Sequence, residues 1–322
     1  MRSALNSILV GHADNANLRS GVTVLLCERP LLASVHVMGA APGTRETELL
    51  SPENTVTHVD AIVLSGGSAF GLDAASGVTE ILRQQGRGFA VGDQVVPIVP
   101  SAILFDLTNG GDKSWSGASP YAQLGRDAMA AAHSDFAVGG VGAGLGATTA
   151  NLRGGFGYAQ TILDDGLIVS AYVAVNAVGQ VTMGDAPNFW AAPFENNSEF
   201  GGLGLPQNIS GAAEVRLKQA PKPAENTTIG VIATNAKISK AQAKRLAISA
   251  HDGYARAIWP CHTPMDGDVV FALSNEEIEY ENVIALNAAA ASTMSRAIAC
   301  AVYNVVPQQN DILPSWRQSF GL

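Results

Sequence analysis

The residues with the most chemistry in this 322-residue chain lie at a junction. From Ala186 to Glu225 the sequence has no periodicity, and Pro187, Pro193, Pro206, Pro221 and Pro223 punctuate it. An irregular stretch of that length inside a compact domain is usually functional or mobile. Order returns abruptly at Thr227–Ala233, TTIGVIA, which reads as a β-strand. A threonine that opens a strand is rigidly held. If the backbone broke between Asn226 and Thr227, the threonine would gain a free α-amine. Such an amine has a reference pKa of about 7.7 to 8.0, near working pH, so it can take the proton of the threonine's own hydroxyl. In the intact chain the same hydroxyl can attack the preceding carbonyl, and the ester so formed would hydrolyse. Asn226-Thr227-Thr228 also spells a glycosylation sequon, which is moot without a secretion signal. On the residues alone, a strand that happens to begin with two threonines is the stronger explanation.

Other segments carry weaker signals. Gly142-Ala143-Gly144-Leu145-Gly146-Ala147 fits the loose dinucleotide pattern G-x-G-x-x-A, with Asp164 about 20 residues on. A true fingerprint opens a helix at once, whereas Thr148, Thr149, Asn151, Gly154, Gly155 and Gly157 follow here. The run reads as a tight loop, or as one lining a site. Ser65-Gly66-Gly67, with Ser68 expected as a helix cap, offers free N–H groups suited to an anion, although an ordinary strand-to-helix turn explains it as well. Asp266-Gly267-Asp268 lacks the further ligands of a calcium loop, and His262 nearby has no second histidine at ligand spacing. It is a turn with two carboxylates, or a pair orienting a nucleophile. No metal or cofactor is expected. None of the six histidines lies in a nucleophile-elbow context.

The elements that must position these groups follow from the pattern. Val22–Glu28, Ala33–Ala40, His58–Leu64, Gly166–Val175 and Asp268–Leu273 read as strands. Leu72, Ala75, Val78 and Leu82 recur at helical spacing before Gly86. Ser239 and Gln242 form a capping box, and Asn282 caps a long alanine-rich helix. Helices and neighbouring strands suggest the α/β (α+β) class with αββα layers. Length alone allows one large domain or two small ones.

Composition narrows the function classes. The 19 basic and 28 acidic residues give −9, and charged residues are only 15% of the chain. Without a basic surplus, no nucleic-acid partner is expected. A sparse supply of charge covers a small exterior, so a homo-oligomer is expected. Three cysteines, Cys27, Cys261 and Cys300, exclude a fully paired disulfide framework and suggest a reducing compartment. The first residues are too short a stretch for a signal peptide, and no run approaches the roughly 18 apolar residues of a membrane span. A cytoplasmic protein with no membrane partner is the expectation.

PAENTTIGVIATNA followed by AHDGYARAIWPCHTPMDGDVVFAL resembles the P1 peptidases. That family comprises L-aminopeptidase/D-amidases, β-peptide aminopeptidases and nylon-oligomer (6-aminohexanoate oligomer) hydrolases. LSGGSAFGLDAASGV and GGVGAGLGATTANLRGGFG match further family segments, so the resemblance spans nearly the whole chain. Its Asn-Thr junction and M-D-G-D are nearer the nylon-oligomer branch than the serine-nucleophile aminopeptidases. The resemblance implies an Ntn-hydrolase-like four-layer αββα sandwich, a single domain over residues 1–322. It implies self-cleavage into an α chain, residues 1–226, and a β chain, residues 227–322, with tetramers of αβ units. It implies Thr227 as nucleophile, Asp266 and Asp268 as the carboxylates orienting it, and Asn176 as oxyanion donor. Gly66, Gly67 and Gly142–Gly146, Gly144 included, would line the pocket for a small amide or short peptide. Two positions depart from the branch. Its catalytic lysine falls at Asn151 or Arg153, and arginine cannot act as a base. Its tyrosine is Phe70. The alternatives are a nylon-oligomer hydrolase proper, a non-catalytic small-ligand-binding relative, and a nucleotide-dependent oxidoreductase on the Gly142 loop.

Overall fold

The computed structural model describes residues 1–163, 166–209, 211–218 and 226–321. Asp164, Pro221, Pro223 and Glu225 therefore lie outside the described residues. The strands are β1 (Ile8–Asn15), β2 (Ser20–Val37), β3 (Thr44–Arg45), β4 (His58–Ser65), β5 (Phe89–Val91), β6 (Gln94–Val96), β7 (Ser101–Ile103), β8 (Gly155–Ile162), β9 (Ile168–Asn176), β10 (Thr227–Lys237) and β11 (Val269–Glu279). The helices are α1 (Asp73–Gln84), α2 (Tyr121–Ala130), α3 (Lys240–Ala255), α4 (Val283–Tyr303) and α5 (Trp316–Phe320).

Hydrogen bonding runs β3-β7-β4-β2-β11-β10-β9-β8, with β1 on β2 and β5–β6 as a separate hairpin. Outside that hairpin, the nine strands form one continuous hydrogen-bonded sheet, and the long β2 carries it from one layer to the next. Its first half pairs with β1 and β4, and its last residues pair with β11. Three apolar cores separate four layers. Val22, Val24, Ala61 and Val63 face α1 and α2. Leu25, Ile62 and Leu64 meet Tyr172, Ile229, Val231 and Phe271 between the strand layers. Val173, Val175, Ile232 and Val270 face α3 and α4. Alternation along each strand sends neighbouring residues to opposite cores, giving the expected αββα sandwich.

Several local expectations change. The two early strands are one, β2, with a register shift between Leu26 and Leu31. Ser68 caps nothing: it has φ +53°, opens a 3₁₀ turn over Ser68–Leu72, and α1 begins only at Asp73. Of the glycines after Ala147, Gly155 and Gly157 belong to β8 rather than to a loop, and Gly154 directly precedes it. An added Cβ on Gly155 or Gly157 would fall 2.3 Å from Ala301 O or 2.0 Å from Ala297 O, so they let α4 approach closely. The capping boxes of α3 and the Asn282 cap of α4 are formed. Contrary to the apolar-run count, α4 is long and apolar enough to cross a membrane, but it is mostly buried against β8, β9 and α3.

Candidate functional site

β9 and β10 are antiparallel with Thr227 directly opposite Asn176. By strand alternation both side chains fall on the face between the strand layers, where Ile229 and Ala174 also lie. Both residues are buried, as is Asn226. The Thr227 hydroxyl donates to the carbonyl oxygen of Asn226 at 2.5 Å. The same oxygen accepts the N–H of Gly267 at 2.9 Å, across a parallel bridge from Asn226 to Asp266. A carbonyl that accepts two hydrogen bonds in this way is polarised. Among the described residues, neither polar atom of the Asn226 amide has a partner. A buried group left unpaired costs about 1–3 kcal/mol.

The two aspartates frame this junction. Asp268 accepts the Thr228 N–H at 2.8 Å on one oxygen and faces His262 Nδ1 at 2.7 Å on the other. Asp266 accepts the N–H and the hydroxyl of Thr263, each at 2.8 Å, and the Val178 N–H at 3.4 Å. These carboxylates hold Thr228, which follows Thr227, and Val178, which lies just beyond Asn176. Burial first, and then the charge of Asp268, push the Asp266 carboxyl above its ordinary range. Segment 38–41 braces the turn from outside: Gly39 N–H donates to Asp268 O, and Ala41 N–H to Asp266 O.

Asn176 is fixed by a polar network. Its Oδ1 accepts from Thr148 N at 3.0 Å, Asn109 Nδ2 at 3.2 Å and Lys218 Nζ at 3.0 Å, while its Nδ2 donates to Phe105 O at 2.9 Å. Three donors on one side and a carbonyl on the other determine the amide's orientation. Asp106 ties in the glycine turn by accepting the Gly67 N–H at 2.8 Å. A Cβ on Gly66 would fall 2.2 Å from Asp106, so this turn requires the backbone itself at that place. Burial pushes the Asp106 carboxyl upward, partly offset by Lys113.

The remaining expected residues divide. Gly66 and Gly67 join Asn176 through Asp106, Phe105 and Asn109. Gly144 is packed on the backbone of Gly155 and Phe156. Phe70 is half exposed and edge-on to Trp115, with ring centres 5.2 Å apart. Arg153 is buried in an ion pair with Asp311 and donates to Leu145 O at 2.7 Å, so its charge is committed away from Thr227. Asn151 carries no charge, and its buried Oδ1 is unpartnered among the described residues. Among the described residues, Lys218 places a cation beside Asn176. Gly142–Gly144 form one 3₁₀ turn, and no α-helix follows. Sequence reading missed Asp106, Asn109, Lys218 and the clasp His262-Thr263. Only the last had a local signal, its position just ahead of Asp266.

A model of peptidase family S58 matches residues 5–309. An uncharacterized aminopeptidase of Mycobacterium tuberculosis is 43% identical over 341 residues, covering 98% of this chain and 96% of the relative. A 6-aminohexanoate-oligomer endohydrolase of Agromyces sp. is 29% identical over 289 residues, covering 87% and 76%. Among solved structures, a β-aminopeptidase of Burkholderia sp. superposes with a TM-score of 0.71 at 20% identity, covering 99% of this chain and 92% of that one. The L-aminopeptidase D-Ala-esterase/amidase of Ochrobactrum anthropi, described as a variant of the Ntn-hydrolase fold, gives 0.69 at 18% identity, covering 96% and 87%.

Proposed function

The chain belongs to peptidase family S58, whose members hydrolyse peptide or amide bonds, and from that premise we propose that it is a self-processing amidohydrolase with Thr227 as its N-terminal nucleophile. The observation that carries this reading is the Thr227 hydroxyl on the Asn226 carbonyl at 2.5 Å, with the Gly267 N–H on the same oxygen. In processing, Thr227 Oγ1 forms a bond to the Asn226 carbonyl carbon, and the charge on the carbonyl oxygen falls to Gly267 N–H. The C–N bond then breaks, and the hydroxyl proton ends on the threonine nitrogen. Water hydrolyses the ester to an Asn226 carboxylate and a free Thr227. Scission also frees Asn226 to pair its buried amide.

In turnover the new amine takes the Thr227 hydroxyl proton, and Oγ1 adds to a substrate carbonyl. Asn176 Nδ2 serves as oxyanion donor. Asp266 and Asp268 orient the terminus from both sides. The amine returns the proton to the leaving nitrogen, and water releases the acyl group. The substrate class is a small amide or short peptide, consistent with the aminopeptidase names of the more similar relatives. The nylon-oligomer reading has less support, because Asn151 and Arg153 place no catalytic cation at Thr227 and Phe70 lacks a hydroxyl. Tetramers of αβ units in the cytoplasm complete the proposal. A panel of aminoacyl p-nitroanilides, amides and 6-aminohexanoate oligomers tests it. Wild type hydrolyses at least one class and Thr227→Ala none; turnover that survives Thr227→Ala refutes it.

A further inference from the structure

His262 has no part in the mechanism above, yet its surroundings are built around a charge. Its Nδ1 lies 2.7 Å from Asp268 Oδ2, whose other oxygen holds the Thr228 N–H. Its Nε2 lies 3.4 Å from the carbonyl oxygen of His251. Both neighbours are acceptors. A neutral imidazole carries one N–H, so it would satisfy one of them and aim a lone pair at the other. Only the imidazolium donates to both. The Tyr254 ring stacks on it at 19° with centres 5.5 Å apart, and the His251 ring meets it edge-on at 5.0 Å. The residue is held at φ +52°, a left-handed backbone that a non-glycine residue rarely adopts. The next residue, Thr263, grips Asp266. One dipeptide thus clasps both carboxylates.

We propose that His262 is a positioning residue: as the imidazolium counter-ion of Asp268, it keeps that carboxylate from over-stabilising the ammonium form of the Thr227 terminus, so that the amine is free to act as base. This rests on Thr227 being the nucleophile. Two carboxylates beside a new α-amine would favour its protonated form, and protonated it cannot accept the hydroxyl proton. A fixed cation on one of them offsets that.

The other titratable groups facing the ring do not supply this charge. On α3, burial holds His251 neutral with its pKa lowered to about 4, and burial keeps the Tyr254 phenol protonated. On β2, burial and then Lys244 lower His36. In the same loop, burial and then Asp268 and Asp266 push the Cys261 thiol up to about 12. For His262 burial opposes the charge, but the Asp268 hydrogen bond and its charge prevail and raise its pKa.

The test is the pH profile of kcat/KM on one p-nitroanilide substrate, for processed wild type and processed His262→Gln. Glutamine keeps a donor for Asp268 and removes the charge. We expect the acid limb to move upward by on the order of one pH unit, with the high-pH plateau within about threefold, and His262→Arg to restore the wild-type limb. Coincident acid limbs, or a plateau that falls while the limb stays, overturn the proposal. If His262→Gln does not fold, NMR titration of ¹³Cε1-histidine wild type decides. His262, assigned through His36→Gln, His58→Gln and His133→Gln, should hold its proton above pH 6.5; release below 6.5 overturns the proposal. An uncut, inactive wild type refutes the Thr227 reading itself. A cut, active wild type with an unmoved limb refutes only His262.

Discussion

Replacing Gly267 by alanine perturbs the Asn226–Thr227 junction by one methyl group. Gly267 is outside the left-handed region, so its backbone accepts a side chain and the conflict is purely steric. The added Cβ would lie 2.4 Å from Ala41 O and 2.8 Å from Thr227 Oγ1. Ordinary contact begins near 3.4 Å, so Ala41 must retreat by about 1.0 Å and Oγ1 by about 0.6 Å. Overpacking of this kind costs about 1–3 kcal/mol of stability. A misplacement approaching 1 Å at a reacting atom costs on the order of a hundredfold in rate, equivalent to about 2.7 kcal/mol. A folded Gly267→Ala precursor should therefore persist about a hundredfold longer than wild type. The assay is a denaturing-gel time course after pulsed synthesis, with urea denaturation of the same protein to measure the stability loss. A folded variant that splits within threefold of the wild-type rate refutes the placement of Thr227 Oγ1 against Gly267.

Asp311→Ala should remove about 3–5 kcal/mol in urea denaturation, because the buried guanidiniums of Arg19 and Arg153 lose their shared carboxylate. Cleavage at Asn226 should persist in the folded variant, since that trio does not touch Thr227; its loss would show that Arg153 acts in the chemistry. Asn176→Leu should lower kcat by 10²–10³ with KM nearly unchanged, and a fall of less than tenfold would remove Asn176 from the oxyanion role. Stability should fall steeply between pH 6.5 and 4. Burial lowers His12 and His251 to about 4, so the unfolded chain binds those protons first, and each withdraws about 3 kcal/mol over that window. His262 has the opposite sign: its stabilisation is full below pH 6.5 and is lost as pH rises through its raised value. The gap in Tm between wild type and His262→Gln should accordingly be wider at pH 6 than at pH 9. Urea midpoints that stay flat from pH 6.5 to 4, or a constant gap in Tm, would contradict these assignments.

The fold was readable where local signals agree with tertiary demand. TTIGVIA is apolar on both faces because β10 is covered by the other strand layer on one side and helices on the other. Ser239 and Gln242 cap α3 as spelled. β8 was illegible because Gly155 and Gly157, poor strand residues by propensity, are demanded by the approach of α4. Ser68 misled because a strand–glycine–serine pattern looks like a cap, although the backbone there turns left-handed first. At the site, Thr227, Asn176, Asp266 and Asp268 lie at strand ends, where position in the sequence implies position in space. Asn109 and Lys218 reach Asn176 across 67 and 42 residues of chain, and Asp106 joins them through the Asn109 N–H, all from loops with no pattern of their own. The antiparallel ladders of β2 with β4 and with β11 link the two strand layers.

If Thr227 itself breaks the bond to Asn226, intact mass and N-terminal sequencing of purified protein will give a fragment of residues 1–226 and one of residues 227–322 beginning TTIGVIA, with Thr227→Ala remaining a single 322-residue chain. A single uncut chain in hydrolytically active material, or a Thr227→Ala protein that still separates at that bond, would contradict that self-cleavage.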